Sequence, residues 1–164
     1  MTEQGKSAAR AKEVRLTVFG SRSLADERVE IIIREQVQKH RVTHIVTSAE
    51  PCGVCEVARR VTASLGIPLV LHFLNFQYLR GAFEHRSRSV FRDSDRAVFI
   101  HDGISKGTAN EVKLAEKMGL PFEYYTLAVS EYKASVGFEI GKEWGADIDK
   151  QVGELEDMAK GAEL

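Results

Sequence analysis

The chain has little of several residue types that mark common protein classes. It contains two cysteines in 164 residues, too few for a scaffold held by disulfides. Its net charge is −1, which gives no broad electrostatic attraction to nucleic acid or to a membrane surface. No apolar run approaches the roughly 18 residues that a membrane-spanning helix needs. Nucleic acid and membrane are therefore poor candidates as partners.

The two ends of the chain differ in composition from the middle. The first residues are polar and have no hydrophobic signal region, so we expect a flexible tail over 1–12 and a cytoplasmic protein. The middle, 13–127, is predicted to form one domain. The remainder, 128–164, is predicted to be a helical extension, with a helix over Asp147–Ala159. Three apolar residues in it are expected to dock on the domain or on a partner subunit: Phe138, Ile140 and Trp144.

Short apolar segments alternate with amphipathic ones through the middle of the chain. This alternation predicts a Rossmann-like three-layer α/β/α domain with a mainly parallel five-stranded sheet. The predicted strands are Val14–Phe19, His44–Thr47, Ile67–Phe73, Ala97–Ile100 and Pro121–Thr126. Ligands of such sheets bind at the carboxyl ends of the strands, near the switch in strand order. The loops expected there are Gly20–Arg22, Ser48–Cys55, Phe73–Tyr78 and Asp102–Thr108.

The loop after the fourth strand is the strongest candidate for an anion site. Two glycines bracket a polar turn, and a helix follows with Thr108 or Asn110 as its expected cap. Backbone N–H groups at such a helix N-terminus bind phosphate. The alternative is an ordinary strand–turn–helix junction. The candidate phosphate-binding residues of this loop are Asp102, Gly103, Ser105, Lys106, Gly107 and Thr108.

The loop after the first strand, Gly20-Ser21-Arg22, is a second candidate phosphate cradle. Its serine and amides could bind phosphate, and its arginine could pair with it. Gly53 in the loop after the second strand is a further candidate. For Gly20-Ser21-Arg22, the alternative is a helix-capping serine beside a solvated arginine. The chain has neither the GxGxxG fingerprint nor a P-loop, so neither a dehydrogenase nor an ATPase is indicated.

Cys52 and Cys55 form a CxxC motif between a strand and a helix. A helix N-terminus lowers the pKa of a thiol, so a redox role is one interpretation. A metal site is another, although one CxxC supplies only two ligands. The interpretation that we favour is that both cysteines pack in the loop. The CxxC motif therefore gives no firm indication of a metal or a cofactor.

Arg86 and Glu111 are the candidate catalytic residues. They lie on the predicted helices that enter and leave the fourth strand, so both side chains can face one cleft. A carboxylate beside a bound ribose could stabilise an oxocarbenium-like centre or activate water. An arginine could hold the phosphate. The alternative is a surface ion pair, which contributes little to stability.

Together these motifs resemble the SLOG superfamily, and its YspA/YpsA-type group in particular. The resemblance rests on Gly20-Ser21-Arg22, Arg86, Asp95 and the DGISKGT run over 102–108. It implies a nucleotide or a nucleotide-derived phosphorylated ribose as ligand. The superfamily includes the Lonely-guy phosphoribohydrolases, which use an arginine and a GTxxE segment in catalysis. Arg86 and the run from Gly107 to Glu111 match those positions. DprA is a DNA-binding relative.

The chain departs from the family pattern in its second loop. The family has GGAxGAD there, and this chain has Cys55 where the aspartate stands. Ser87 replaces an asparagine after the arginine. The expected function is therefore ligand binding, with cleavage of a nucleotide N-glycosidic bond as the alternative and a redox or metal module as a second alternative. A homo-oligomer is expected by analogy with related sheets.

Overall fold

The computed structural model describes residues 12–129 and 146–158. Predictions for the tail over 1–11 and for Phe138, Ile140 and Trp144 fall outside these residues. The strands are β1 (Arg15–Gly20), β2 (His44–Ser48), β3 (Leu69–His72), β4 (Arg96–His101) and β5 (Phe122–Thr126). The α-helices are α1 (Glu27–His40), α2 (Val54–Leu65), α3 (Ala82–Arg92), α4 (Lys106–Lys117) and α5 (146–158), and a 3₁₀ helix spans Phe76–Gly81.

The five strands form one sheet in the order β3-β2-β1-β4-β5. Every pair of neighbouring strands is parallel. The predicted Rossmann-like α/β fold is thereby confirmed. The chain runs outward from β1 to β3 and then returns to place β4 beside β1. The switch in strand order therefore lies between β1 and β4, where an open α/β sheet binds its ligands.

Apolar side chains alternate between the two faces of the sheet and build a core on each. Leu16 and Val18 of β1 belong to the core that also contains buried residues of α1 and α2. Phe19 belongs to the opposite core, with residues of α3 and α4. Its ring meets Phe91 edge to face at 5.7 Å, a favoured aromatic geometry. Helices thus cover both faces, as a parallel sheet requires.

Helix ends follow local side-chain chemistry. Asp26 caps α1, and its carboxylate accepts a hydrogen bond from the Arg28 amide, as N-cap residues commonly do. Gly66 ends α2 in the left-handed conformation. Ser105 stands at the N-cap of α4. The expectation that Thr108 or Asn110 caps this helix was wrong, because both residues lie inside α4.

The described part of the C-terminal extension is the helix α5, close to the predicted Asp147–Ala159. Ile148 and Val152 are 5% and 3% exposed, so one apolar face of the helix is covered. Arg80 Nε lies 3.2 Å from a carboxylate oxygen of Glu156. Among the described residues, no helix has the length and apolarity to cross a membrane.

Candidate functional site

A cleft of about 340 Å³ opens at the carboxyl ends of β1 and β4. Its walls are the loop after β1, the loop after β4 and the first turn of α4. Glu50, from the loop after β2, also reaches it. The lining residues are Gly20, Ser21, Arg22, Ser23, Glu50, Asp102, Ile104, Ser105, Lys106, Gly107, Thr108 and Glu111.

Two glycines let the loops around the cleft approach each other closely. A Cβ on Gly20 would lie 2.3 Å from the carbonyl oxygen of Ile100. A Cβ on Gly53 would lie 2.4 Å from Cα of Arg22, and Gly53 has a φ of +76°, a conformation that favours glycine. Both glycines therefore shape the site through backbone packing. Gly53 does not line the cleft.

Ser21 joins the loops after β1 and β4. Its amide donates to the carbonyl oxygen of Ile100 at 3.0 Å. Its hydroxyl accepts from the Asp102 amide at 3.0 Å and lies 3.4 Å from the Thr108 hydroxyl. Ser21 is 1% exposed. Its polar atoms are therefore engaged in holding the two loops together at the base of the cleft.

The Asp102 carboxylate organises the loop after β4. It accepts hydrogen bonds from the amides of Ile104 and Ser105, and from the hydroxyls of Ser23 and Ser105. Burial alone would raise the pKa of Asp102, but these hydrogen bonds to the charged form lower it to about 2. Asp102 therefore fixes the loop as a carboxylate.

The N-terminus of α4 opens into the cleft. The first-turn amides of an α-helix have no acceptor within the helix, and here they belong to Lys106, Gly107 and Thr108. Lys106 and Gly107 are exposed, and Thr108 is buried. The helix dipole places partial positive charge at the same point. This end of α4 is therefore suited to binding an anion.

A second pair of side chains supports the same loop from β4 and β5. His101 Nε2 lies 2.8 Å from the carbonyl oxygen of Ser105, and its Nδ1 lies 2.5 Å from the Tyr124 hydroxyl. A carbonyl oxygen can only accept, so Nε2 donates to it. Nδ1 then accepts from Tyr124 in the neutral ring. Sequence patterns did not single out this contact, because it joins strands 23 residues apart.

A buried cluster of charges forms the inner wall of the site. Arg86 is 3% exposed, and its guanidinium lies 3.4 Å from a carboxylate oxygen of Glu50, which is 6% exposed. The guanidinium carbon also lies 5.6 Å and 5.5 Å from the ring centres of Phe19 and Phe83. Within the described part of the chain, Arg86 Nε has no hydrogen-bond partner. Arg86 thus forms an ion pair with Glu50, a residue that the sequence did not single out.

The Glu111 carboxyl group is part of the same wall. Its Oε2 atom is buried and has no hydrogen-bond partner among the described residues. Burial, and then the nearby charge of Glu50, raises the pKa of Glu111 to about 8, while Arg86 and Arg22 oppose the shift. The group is therefore mostly protonated at neutral pH and can donate a proton as well as accept one.

A larger cavity of about 710 Å³ adjoins the cleft. The two share Arg22, Glu50, Gly107 and Glu111 as lining residues, so they form one continuous depression. Arg86 lines the larger cavity, and Asp149 brings α5 to its edge. A ligand at the N-terminus of α4 can therefore extend toward Arg86.

The surroundings of Cys52 and Cys55 disfavour their thiolate forms. Both are free and buried. Burial raises the pKa of Cys52, and it raises that of Cys55 to about 12. A reactive thiol needs a lowered pKa. In the described ranges, no three histidine, cysteine or acidic side chains are grouped so that they could hold a metal ion.

The structure brings most of the predicted site residues together. Nine predicted residues line the cleft: Gly20, Ser21, Arg22, Asp102, Ser105, Lys106, Gly107, Thr108 and Glu111. Arg86 lines the adjoining cavity. Gly53 and Gly103 shape the loops without lining either space, and both cysteines also lie outside the linings.

Fold and site together define the class of this chain. It is a Rossmann-like α/β domain with a polar cleft at its topological switch point. No model of a protein family, no curated protein and no solved structure matches the chain. The resemblance to the SLOG superfamily therefore stays a prediction.

Proposed function

We propose that the cleft binds a nucleotide or a nucleotide-derived phosphorylated ribose. The observation that carries the proposal is the pair of unpartnered buried atoms, Arg86 Nε and Glu111 Oε2, beside the N-terminus of α4. Buried polar atoms are nearly always hydrogen-bonded. A ligand that carries both a phosphate and hydroxyl groups supplies partners for a helix N-terminus, a guanidinium and a carboxyl group together.

The parts of such a ligand have distinct places in the site. The phosphate lies against the amides of Lys106, Gly107 and Thr108, where the helix dipole and the Lys106 ammonium stabilise its charge. The ribose lies next to Glu111 and Glu50, whose carboxyl groups accept hydrogen bonds from its hydroxyls. Because Asp102 holds the loop in place, little ordering is needed when the ligand binds.

A thermal-shift panel tests the proposal. It includes ribose 5-phosphate, inorganic phosphate, and nucleoside mono-, di- and triphosphates. A ligand at 100 times its dissociation constant stabilises the protein by about 2.7 kcal/mol. For a domain of this size we expect a rise in Tm of roughly 5–10 °C. A panel with no shift would contradict the proposal.

Gly107→Glu is the variant that separates binding from folding. A Cβ on Gly107 meets no atom within 4 Å, and an acidic residue in the first turn of a helix is stabilising. The glutamate places negative charge where the phosphate would bind, so we expect an unchanged or higher Tm without ligand and no shift with ligand. Gly153→Glu is the matched control, since Gly153 is also unobstructed and lies in α5. Its ligand response should equal that of the wild type.

A second candidate function is hydrolysis of the N-glycosidic bond of the bound nucleotide. The observation that favours it is a carboxyl group at Glu111 with a pKa of about 8 beside the carboxylate of Glu50. In this reaction the bond between the base and the ribose breaks, and water supplies a hydroxyl to the ribose and a proton to the base. In the proposed reaction Glu111 transfers that proton.

Chromatographic detection of free base tests this second function. The wild type should release base from a nucleotide that the panel identifies as a ligand. Glu111→Gln should abolish release and leave the thermal shift largely intact. Binding without release in the wild type would reject hydrolysis and leave the binding function standing.

A further inference from the structure

We infer that the base of the proposed ligand lies in a third cavity, at the carboxyl ends of β2 and β3 and against α5. The inference rests on the proposed function, because it assigns a place to one part of that ligand. The cavity measures about 310 Å³, within the range of about 300–1,000 Å³ for small-molecule pockets. Its apolar lining residues are Ala49, Phe73, Leu74, Phe76 and Ile148.

The lining of this third cavity differs in chemistry from that of the other two. The first cleft is walled by polar loops and a helix N-terminus, and the second cavity is lined mainly by charged side chains. Half of the lining of the third is apolar, and two of its residues are aromatic. Phe73 is 69% exposed and Phe76 is half-buried, so both can offer ring surface to a ligand. Planar bases stack on such surfaces.

Two side chains connect the third cavity to the phosphate cleft. Glu50 lines all three spaces, and Arg86 lines the second and the third. Arg86 is 3% exposed, and its Nε has no partner in the described part of the chain. Glu50 and Arg86 therefore place hydrogen-bonding groups on the walls that these neighbouring spaces share.

The distance between the first cleft and the third cavity suits the distance between the phosphate and the base of a nucleotide. The cleft lies over β1 and β4, and the third cavity lies over β2 and β3. Neighbouring strands are about 4.8 Å apart, so the two spaces are separated by roughly two strand spacings, about 10 Å. A nucleoside monophosphate has its phosphate and its base at opposite ends with the ribose between them. The ribose then lies at Glu50, Arg86 and Glu111.

The helix α5 supplies two of the polar residues that line the third cavity. Asp147 and Gln151 are exposed and line it. A glutamine amide both donates and accepts, and a carboxylate accepts. Such groups distinguish bases by the donors and acceptors on their edges. The C-terminal extension thereby contributes specificity to a site whose phosphate end belongs to the sheet domain.

The test compares ribose 5-phosphate with the four nucleoside 5′-monophosphates by isothermal titration calorimetry. In the wild type we expect at least one nucleotide to bind ten times more tightly than ribose 5-phosphate. Loss of one stacking side chain weakens binding by about 5- to 150-fold. Phe76→Ala should therefore reduce that ratio about tenfold and leave the affinity for ribose 5-phosphate unchanged.

Tyr78→Ala is the matched control for the aromatic substitution. Tyr78 lies in the same 3₁₀ helix, is 49% exposed and stacks on His85 at 3.7 Å between ring centres. It lines none of the three cavities, so its loss should leave the ratio unchanged. Gln151→Ala should change the order of preference among the four bases. An unchanged order would contradict the role of α5 in the inference.

Failure of this inference and failure of the proposed function give different results. Equal binding of ribose 5-phosphate and all four nucleotides by the wild type would overturn the base site and leave the phosphate cleft standing. The same holds if Phe76→Ala leaves the ratio unchanged. If none of these ligands binds, the proposed function fails and the base site fails with it.

Discussion

Glu111 shows how one side chain can be predicted from sequence while its surroundings cannot. Its place on the helix after β4 follows from the pattern of the chain. Its protonation depends on burial and on Glu50, a residue 61 positions earlier that only the fold brings near. Glu50 had no local signal beyond its position in a loop at the carboxyl end of β2. Long-range burial of this kind is not encoded in any short motif.

The raised pKa of Glu111 makes stability depend on pH. The folded protein holds its proton up to about pH 8, whereas the unfolded chain releases it near pH 4.3. The contribution of protonated Glu111 to the free energy of unfolding is therefore fully present below about pH 4. It is lost as the pH rises toward 8. Since a glutamine side chain cannot ionise, Glu111→Gln should be more stable than the wild type at pH 8, by on the order of a few kcal/mol. Below pH 4 the two should be equal.

Urea unfolding at pH 4, 6 and 8 measures this difference. The control is Glu116→Gln, an exposed glutamate on the same helix, which should not alter the pH profile. A wild type and a Glu111→Gln variant with parallel profiles would show that Glu111 is not held in its protonated form.

Among the elements, the loop after β2 depends on a single glycine for its close approach to the loop after β1. Gly53 has a φ of +76°, and a Cβ there would lie 2.4 Å from Cα of Arg22. Gly66 has a similar φ of +66° but meets no atom within 4 Å. Gly66→Ala should therefore lower the free energy of unfolding by about 1–2 kcal/mol, the cost of an alanine in the left-handed conformation. Gly53→Ala adds steric overlap of about 1–3 kcal/mol.

Chemical denaturation of the two alanine variants separates the cost of the left-handed backbone from the cost of steric overlap. We expect Gly53→Ala to lower the free energy of unfolding more than Gly66→Ala does. It should also weaken ligand binding, because the displaced backbone belongs to Arg22 at the cleft. Equal losses for the two variants would show that the close approach of the two loops is not maintained in solution.

The bounds of β1, β2 and β4 were predictable to within about a residue because each is a short and mostly buried run. β3 differs most from its prediction, Leu69–His72 against Ile67–Phe73. Ile67 donates its amide to Thr62 and so belongs to the end of α2. β3 is also an edge strand with β2 as its neighbour, so its pairing ends with that strand. The cap of α4 was misplaced because Asp102 fixes the turn as far as Ser105.

At the scale of the whole molecule, the class of fold follows from the alternation of strands and helices. The strand order does not, since alternation alone leaves several orders open. The order β3-β2-β1-β4-β5 places the loops after β1 and β4 side by side. Because these two loops are neighbours, the weak motifs at Gly20 and Gly107 line a single cleft.

The packing of α5 on the domain is also a property of the whole molecule. Ile148 is 5% exposed, whereas the Arg80–Glu156 pair is at the surface, with the arginine side chain 70% exposed. Ile148→Ala should therefore weaken the docking of the helix by about 2–5 kcal/mol. Glu156→Gln should cost less than about 1 kcal/mol.

Hydrogen exchange of the amides over 146–158 measures both effects. Their protection should fall strongly in the Ile148→Ala variant and little in the Glu156→Gln variant. The reverse order would mean that charge, and not apolar burial, holds the helix in place.

The measurement that tests the central claim most directly is a titration of the ¹⁵N-labelled protein with ribose 5-phosphate, followed by NMR. We expect saturable shifts of the amides of Lys106, Gly107 and Thr108, absent in Gly107→Glu and retained in Gly153→Glu. Saturable shifts confined to another part of the chain, or no shift at any concentration, would contradict a phosphate site at the N-terminus of α4.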